Sequence, residues 1–231
     1  MVAAVYRREE KFLLRCPQYM ELKCLLAPIM RRDKNAGADG SYRIRSLYFD
    51  RPDNRAYHEK VDGVDQRQKL RLRTYGESPD MVRLEIKNRR ENGIYKETDV
   101  LSRQEASGLL GSAPEYGFLL DRSSPAAGRA YGLFSAEGYR PAVIVDYSRE
   151  ALTLPFYQIR VTFDRQIRAA RGAEDFFKPQ AGTVPVLPAD EIILEVKYNH
   201  MFPAFLRRML SSVEAQAMSV SKYYLSRELL G

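Results

Sequence analysis

Lys69-Leu70-Arg71-Leu72-Arg73-Thr74-Tyr75, followed by Arg83-Leu84-Glu85-Ile86-Lys87-Asn88-Arg89, is the stretch that decides the fold. In both segments the odd positions are charged and the even ones mostly aliphatic, the period of two that marks a strand with one apolar and one ionic face. Gly76-Glu-Ser-Pro-Asp80 between them carries the residues of an antiparallel connection. Asn92-Gly93 then leads to a third strand, Ile94–Val100, with Lys96 and Thr98 on one parity, so a three-stranded meander is the economical topology. An ordinary solvent-facing strand mixes lysine with glutamate, threonine and serine. Here the face is mostly guanidinium and ammonium, which suits a polyanion.

The same pattern extends outward. Arg7, Glu9 and Lys11 share one face of a first strand, and Ser41–Asp50 is a strand in which Arg43 and Arg45 share a parity with Leu47 and Phe49. Ala142–Arg149, Tyr157–Arg165 and Glu191–Tyr198 complete the set, the last with Glu195 and Lys197 on one face. Helices are predicted from Pro17 to Met30, after Pro52, from the Ser102/Glu105 capping box, from Pro203 and around Ser219–Leu225. Residues 102–138 form a helical insertion packed outside the sheet, Arg171–Pro188 reads as a long mobile loop, and Cys24 as core filler. If the charged faces converge inside a closed sheet, their cations repel and call for a bound polyanion. If they point outward, they are solvated ladders on a half-exposed antiparallel sheet. The pattern alone leaves both open.

The 231 residues are enough to bury a sizeable core, and a net charge of +7 with a pI near 9.3 points to a phosphate-rich or otherwise anionic partner. Neither a signal peptide nor an apolar run of membrane-spanning length is visible, so a soluble, cytoplasmic protein is expected. Two cysteines without a CxxC and two histidines, His58 and His200, without metal-ligand spacing argue for reduced thiols and against a histidine-based metal site.

Arg7-x-Glu9-x-Lys11, Ser46-Leu-Tyr-Phe-Asp50, Leu70-Arg-Leu-Arg-Thr-Tyr-Gly76, Leu84-Glu-Ile-Lys87, Asp146-Tyr-Ser-Arg149, Arg160-Val-Thr-Phe-Asp164, Leu194-Glu-Val-Lys197 and Ser221-Lys-Tyr223 resemble, in this order, the VTC (vacuolar transporter chaperone) polyphosphate polymerase domain. That family belongs to the CYTH, or triphosphate tunnel metalloenzyme, superfamily. The resemblance spans nearly the whole chain. It implies an α+β fold: one tunnel domain over residues 1–231, a closed antiparallel β-barrel of about eight strands with helices packed outside. It further implies that Lys11, Arg71, Arg73, Lys87 and Arg160 act on the phosphates, that Lys96, Arg149, Lys197 and Lys222 bind substrate, and that Glu195, with Glu9 and Glu85 in support, holds Mn²⁺ or Mg²⁺. Lys222, on the terminal helical segment, is expected to close one mouth. No SPX-like module precedes these motifs and no anchor follows, so coupling to translocation is not expected.

The reaction implied is metal-assisted transfer of the ATP γ-phosphate to phosphate or a polyphosphate end. Such acceptors are already anionic, which agrees with the lack of a recognisable catalytic triad or P-loop. With water as acceptor the same site is a triphosphatase or polyphosphatase, and without turnover it is a polyphosphate or inositol-phosphate binding module. RNA binding is the weaker reading, because Tyr and Phe sit mostly at core spacing rather than interleaved with the cations. Asp164 is read as a partner for a tunnel arginine, and Tyr147 as packing on a helix. The oligomeric state is left open.

Overall fold

The computed structural model describes residues 8–76, 80–90, 93–199, 201–219 and 221–231. Arg7, His200, Asn92 and the centre of the predicted 76–80 turn lie outside the described residues.

In chain order the elements are β1 (Arg8–Arg15), α1 (Cys16–Leu26), β2 (Arg31–Arg32), β3 (Ser41–Asp50), α2 (Arg55–Val61), β4 (Arg67–Tyr75), β5 (Met81–Arg90), β6 (Gly93–Ser102), α3 (Arg103–Gly108), α4 (Pro125–Ser135), β7 (Arg140–Leu154), β8 (Ile159–Ala170), β9 (Val184–Pro185), β10 (Glu191–Tyr198), α5 (Ala204–Ser211), β11 (Gln216–Ala217) and α6 (Lys222–Leu230). All strands join one antiparallel sheet in the order β11-β1-β10-β8-β7-β3-β4-β5-β6, with β2 added on β7 and β9 on β8. The predicted meander is thus β4-β5-β6, and the fold is α+β.

Strand alternation explains where the apolar side chains go. On the outer face, Leu47, Leu70, Leu72, Leu84 and Ile86 pack with Ala127, Ala130, Leu133 and Phe134 of α4. A second outer cluster joins Leu14, Val161, Phe163, Leu194 and Val196 to Tyr19, Leu22 and Leu26 of α1 and to Leu206 of α5. Fully buried side chains of this kind each contribute roughly 1.5–3 kcal/mol. The capping box before α3 is formed as predicted: Glu105 N–H donates to Ser102 Oγ (3.2 Å) and Ser102 N–H to Glu105 Oε2 (2.7 Å).

Four expectations are corrected. First, among the described residues no ladder closes the sheet; β11 and β6 end an open path. Its far strands meet instead through side chains, since Lys87 Nζ on β5 lies 3.2 Å from Glu9 Oε2 on β1. Second, the helices are not all outside. On the inner face Ile44, Val143, Val145, Ile167, Ala169 and Ile193 form an apolar bed covered by Tyr223 of α6. Third, the 171–188 segment is pinned. Arg45 donates to the carbonyl oxygens of Phe176 (3.0 Å) and Lys178, and shares Asp146 with Arg43. This pair sits on the outer parity of β3, which is why it does not enter the inner face. Fourth, Cys24 is exposed, because Leu22 and Leu26 take the buried stripe of α1.

Candidate functional site: a basic trough

Register places the inner-face charges side by side. Glu9 of β1 is opposite Lys197 of β10, and Lys11 is opposite Glu195. Lys197 in turn faces Arg160 of β8, Arg71 of β4 faces Glu85 of β5, and Lys87 faces Lys96 of β6. These faces bound a cavity of about 1130 Å³. Among the described residues, twelve Lys and Arg side chains against four carboxylates line it, so its field is strongly positive.

The carboxylates are held by the cations around them. Glu85, almost fully buried, accepts from Arg71 Nε (2.8 Å) and Lys96 Nζ (2.9 Å), with Arg73 Nη1 at 3.7 Å. Burial alone would raise its pKa, but Arg71, Arg73 and Lys96 win and hold it far below the usual carboxylate range. Glu9 contacts Lys11 (3.0 Å) and Lys87 (3.2 Å). Burial and nearby Glu195 push it up, yet Lys87, Lys11 and Lys197 keep it low. Glu195 lies 2.6 Å from Lys197 Nζ, and its pKa stays well below normal because Lys197, Lys11, Lys222 and Arg149 outweigh its burial. Beneath them Arg149 makes a bidentate pair with Asp164 (2.6 and 2.7 Å), and Lys222 Nζ reaches the same carboxylate at 2.5 Å. The pairing read for Asp164 is therefore present.

The structure brings together at the cavity Lys11, Arg71, Arg73, Lys87, Arg149, Lys197 and Lys222 with Glu9 and Glu195. Lys96 and Glu85 stand next to it, joined through Arg71. Arg160 is held elsewhere: its Nη2 donates to Asp33 Oδ2 (2.5 Å) and Tyr42 Oη (3.0 Å). Lys222 is the first residue of α6, whose N-cap Ser221 accepts from Tyr224 N–H (3.1 Å), so the helix start carries its ammonium into the trough.

The family model for the VTC domain matches residues 6–230. The chain belongs to the VTC domain family. No curated protein matches it in sequence. Among solved structures, the VTC chain is similar to a "putative adenylate cyclase" from Bacillus halodurans, with 16% identity over 94% of this chain and 95% of that one at a TM-score of 0.52. It is also similar to protein PH1819 from Pyrococcus horikoshii OT3, with 10% identity over 97% and 99% of the two chains and a TM-score of 0.50. These likenesses show the fold, which is of the triphosphate-tunnel type. No helix among the described residues is long and apolar enough to cross a membrane.

The donor set of this VTC domain fits a divalent ion in part. Glu9 and Glu195 are ionised, line the cavity and sit on neighbouring strands, and a hard ion such as Mg²⁺ is commonly bound by one or two carboxylates plus phosphate oxygens and water. Glu85 does not fit, because both its oxygens are taken by Arg71 and Lys96. Among the described residues no cluster of three acidic, histidine or cysteine side chains exists, so phosphate would have to complete the sphere.

Sequence reasoning missed Lys69 and Tyr48 as site residues. Lys69 Nζ contacts Ser221 Oγ (3.1 Å) and the Tyr223 ring, and no carboxylate pairs with it among the described residues. Burial, with Lys11, Lys87 and Arg67 nearby, lowers its pKa to about 7 against the opposing pull of Tyr48. Burial would raise the Tyr48 phenol, but Arg71, Arg73, Lys69 and a hydrogen bond from Arg71 Nη1 (2.9 Å) bring it down to about 7. The parity of Lys69 with Arg71 was the available signal. Tyr147, read as helix packing, does pack beside Tyr223, yet it also borders the cavity with Lys222 Nζ over its ring at 5.0 Å.

Proposed function

We propose that the protein is a metal-dependent phosphotransferase of the polyphosphate-polymerase type, moving the γ-phosphate of ATP to phosphate or to a polyphosphate end inside the trough. The observation that carries this reading is the cavity itself, where a large excess of buried cations surrounds two ionised carboxylates on adjacent strands. Unpaired buried cations are costly without an anion, and a phosphate chain supplies one.

Arg71 and Arg73 offer planar, bidentate donors to phosphate oxygens, while Lys11, Lys87 and Lys197 act as point charges along the opposite wall. Arg149 and Lys222, fixed by Asp164, hold the deep end of the substrate, with Lys96 and Arg160 at the rim. These groups orient the triphosphate and stabilise the charge that spreads over the transferring phosphoryl oxygens. A Mn²⁺ or Mg²⁺ ion on Glu195 and Glu9 would supply further neutralisation of that charge. The acceptor phosphate needs no activating side chain.

Phosphorus NMR of purified protein with ATP and Mn²⁺ tests the reading. Growing internal polyphosphate signals that a Glu195→Gln variant lacks are the expected result; free orthophosphate without chain growth would overturn polymerase activity. Water as acceptor is the second reading, favoured by Lys69 and Tyr48, whose near-neutral titration suits proton acceptors at working pH.

A further inference from the structure

A second concave site lies at the other end of the inner face, beyond the apolar bed. There the last residue of β3, Asp50, pairs with the first of β7, Arg140, and the C-terminal end of α6 closes over them. The pocket has a volume of about 270 Å³, and Arg51, Arg140, Arg171 and Arg227 line it against one carboxylate, Asp50.

Asp50 does not neutralise this set, because its oxygens are already used. Oδ1 accepts from the N–H groups of Arg51 (2.8 Å) and Ala56 (2.9 Å), and Oδ2 from Tyr57 N–H (3.2 Å) and the Tyr223 hydroxyl. Arg227 is preorganised: Nη2 donates to Asn54 Oδ1 (2.7 Å), Nη1 to Tyr223 Oη (3.2 Å), and the guanidinium lies over the Tyr57 ring. Two of its five N–H donors are thereby used, leaving others for an incoming oxygen. Arg51 leans on Asp53 (3.1 Å) and Glu137 (3.5 Å) at the rim, while its Nε is buried with no hydrogen-bond partner. A buried donor without an acceptor is costly and uncommon in folded proteins. Arg140 makes no ion pair among the described residues, and Arg171 donates to the main-chain oxygen of Gly231 (3.2 Å).

We infer that this pocket is a second anion site, separate from the trough, that takes a small phosphate anion of orthophosphate to pyrophosphate size. Its fixed guanidinium fork, the orphaned Arg51 donor and two further arginines match the several oxygens of a tetrahedral phosphate. The volume admits such an anion and excludes a long chain. The inference does not depend on which reaction the trough performs.

Calorimetric titration with pyrophosphate at low ionic strength tests it, first on free protein and then on protein whose trough is saturated with tripolyphosphate. Two classes of site are expected in the free protein, with the pocket class persisting in the saturated one. An Arg140→Ser/Arg171→Ser double variant, both positions being exposed, should weaken the pocket class by at least about tenfold and leave the trough class intact. A Lys11→Met variant should do the reverse. A single class in the wild type, or a pocket class untouched by the double substitution in a protein with unchanged circular dichroism, would overturn the proposal. ADP provides the remaining arm: affinity equal to pyrophosphate assigns the pocket to the diphosphate of a nucleotide, and weaker binding assigns it to the free anion.

Discussion

Lys69 and Tyr48 make the trough sensitive to protons. Below about pH 7 the amine is charged and the phenol neutral; above it the amine is neutral and the phenol ionised. An arriving triphosphate favours the protonated form of each, so binding should take up protons and weaken as pH rises through about 7. Calorimetry at pH 7.5 in buffers of different ionisation enthalpy should report net uptake that Lys69→Met and Tyr48→Phe each reduce; equal heats after buffer correction would contradict the coupling. Glu85 sets a different test. Its folded pKa is depressed, so its contribution to stability is complete above the ordinary carboxylate range and lost as pH falls towards the folded value. Glu85→Gln leaves Arg71, Arg73 and Lys96 facing one another, and urea unfolding at pH 7 should show a loss of ~3 kcal/mol, partly restored by tripolyphosphate. Charge parity made most of the inner-face residues legible in the sequence. It did not show that Arg160 turns aside, because its partner Asp33 is a loop residue with no periodic signal.

The strands were legible because each buries one apolar face, and Glu191–Tyr198 coincides with β10. The α6 helix was legible as a helix but not in its placement. An apolar stripe on a helix says that it packs, not against which side of a sheet, and here Tyr223 covers the inner bed while Lys222 projects into the trough. The buried hydroxyl of Tyr223 donating to Asp50 fixes that placement. Tyr223→Phe removes a hydrogen bond to a charged group, and chemical denaturation should show a loss of ~2 kcal/mol. Because Lys222 moves with the same helix turn, tripolyphosphate affinity should fall as well. Unchanged affinity with lowered stability would separate the clamp from the position of Lys222.

At the scale of the molecule, the net charge of +7 concentrates in the trough, so long-range attraction should speed capture of polyanions and be screened by salt. Tripolyphosphate association rates should drop steeply between about 50 and 200 mM salt, where the screening length shortens. A Lys11→Met/Lys87→Met variant should show a shallower dependence in stopped-flow measurements. The sequence carried the two-faced strands and the trough's chemistry, yet not the manner of its closure: parity says which way a side chain points, while closure depends on twist accumulated over the whole sheet. Here β11 and β6 both border the cavity without a ladder between them, and Lys87 reaches Glu9 across the gap. Such a channel is a slotted pipe and not a ring. A phosphate chain longer than the protein need not be fed through by its end; it can be laid in sideways through the slot, so a bound polymer is never topologically captive.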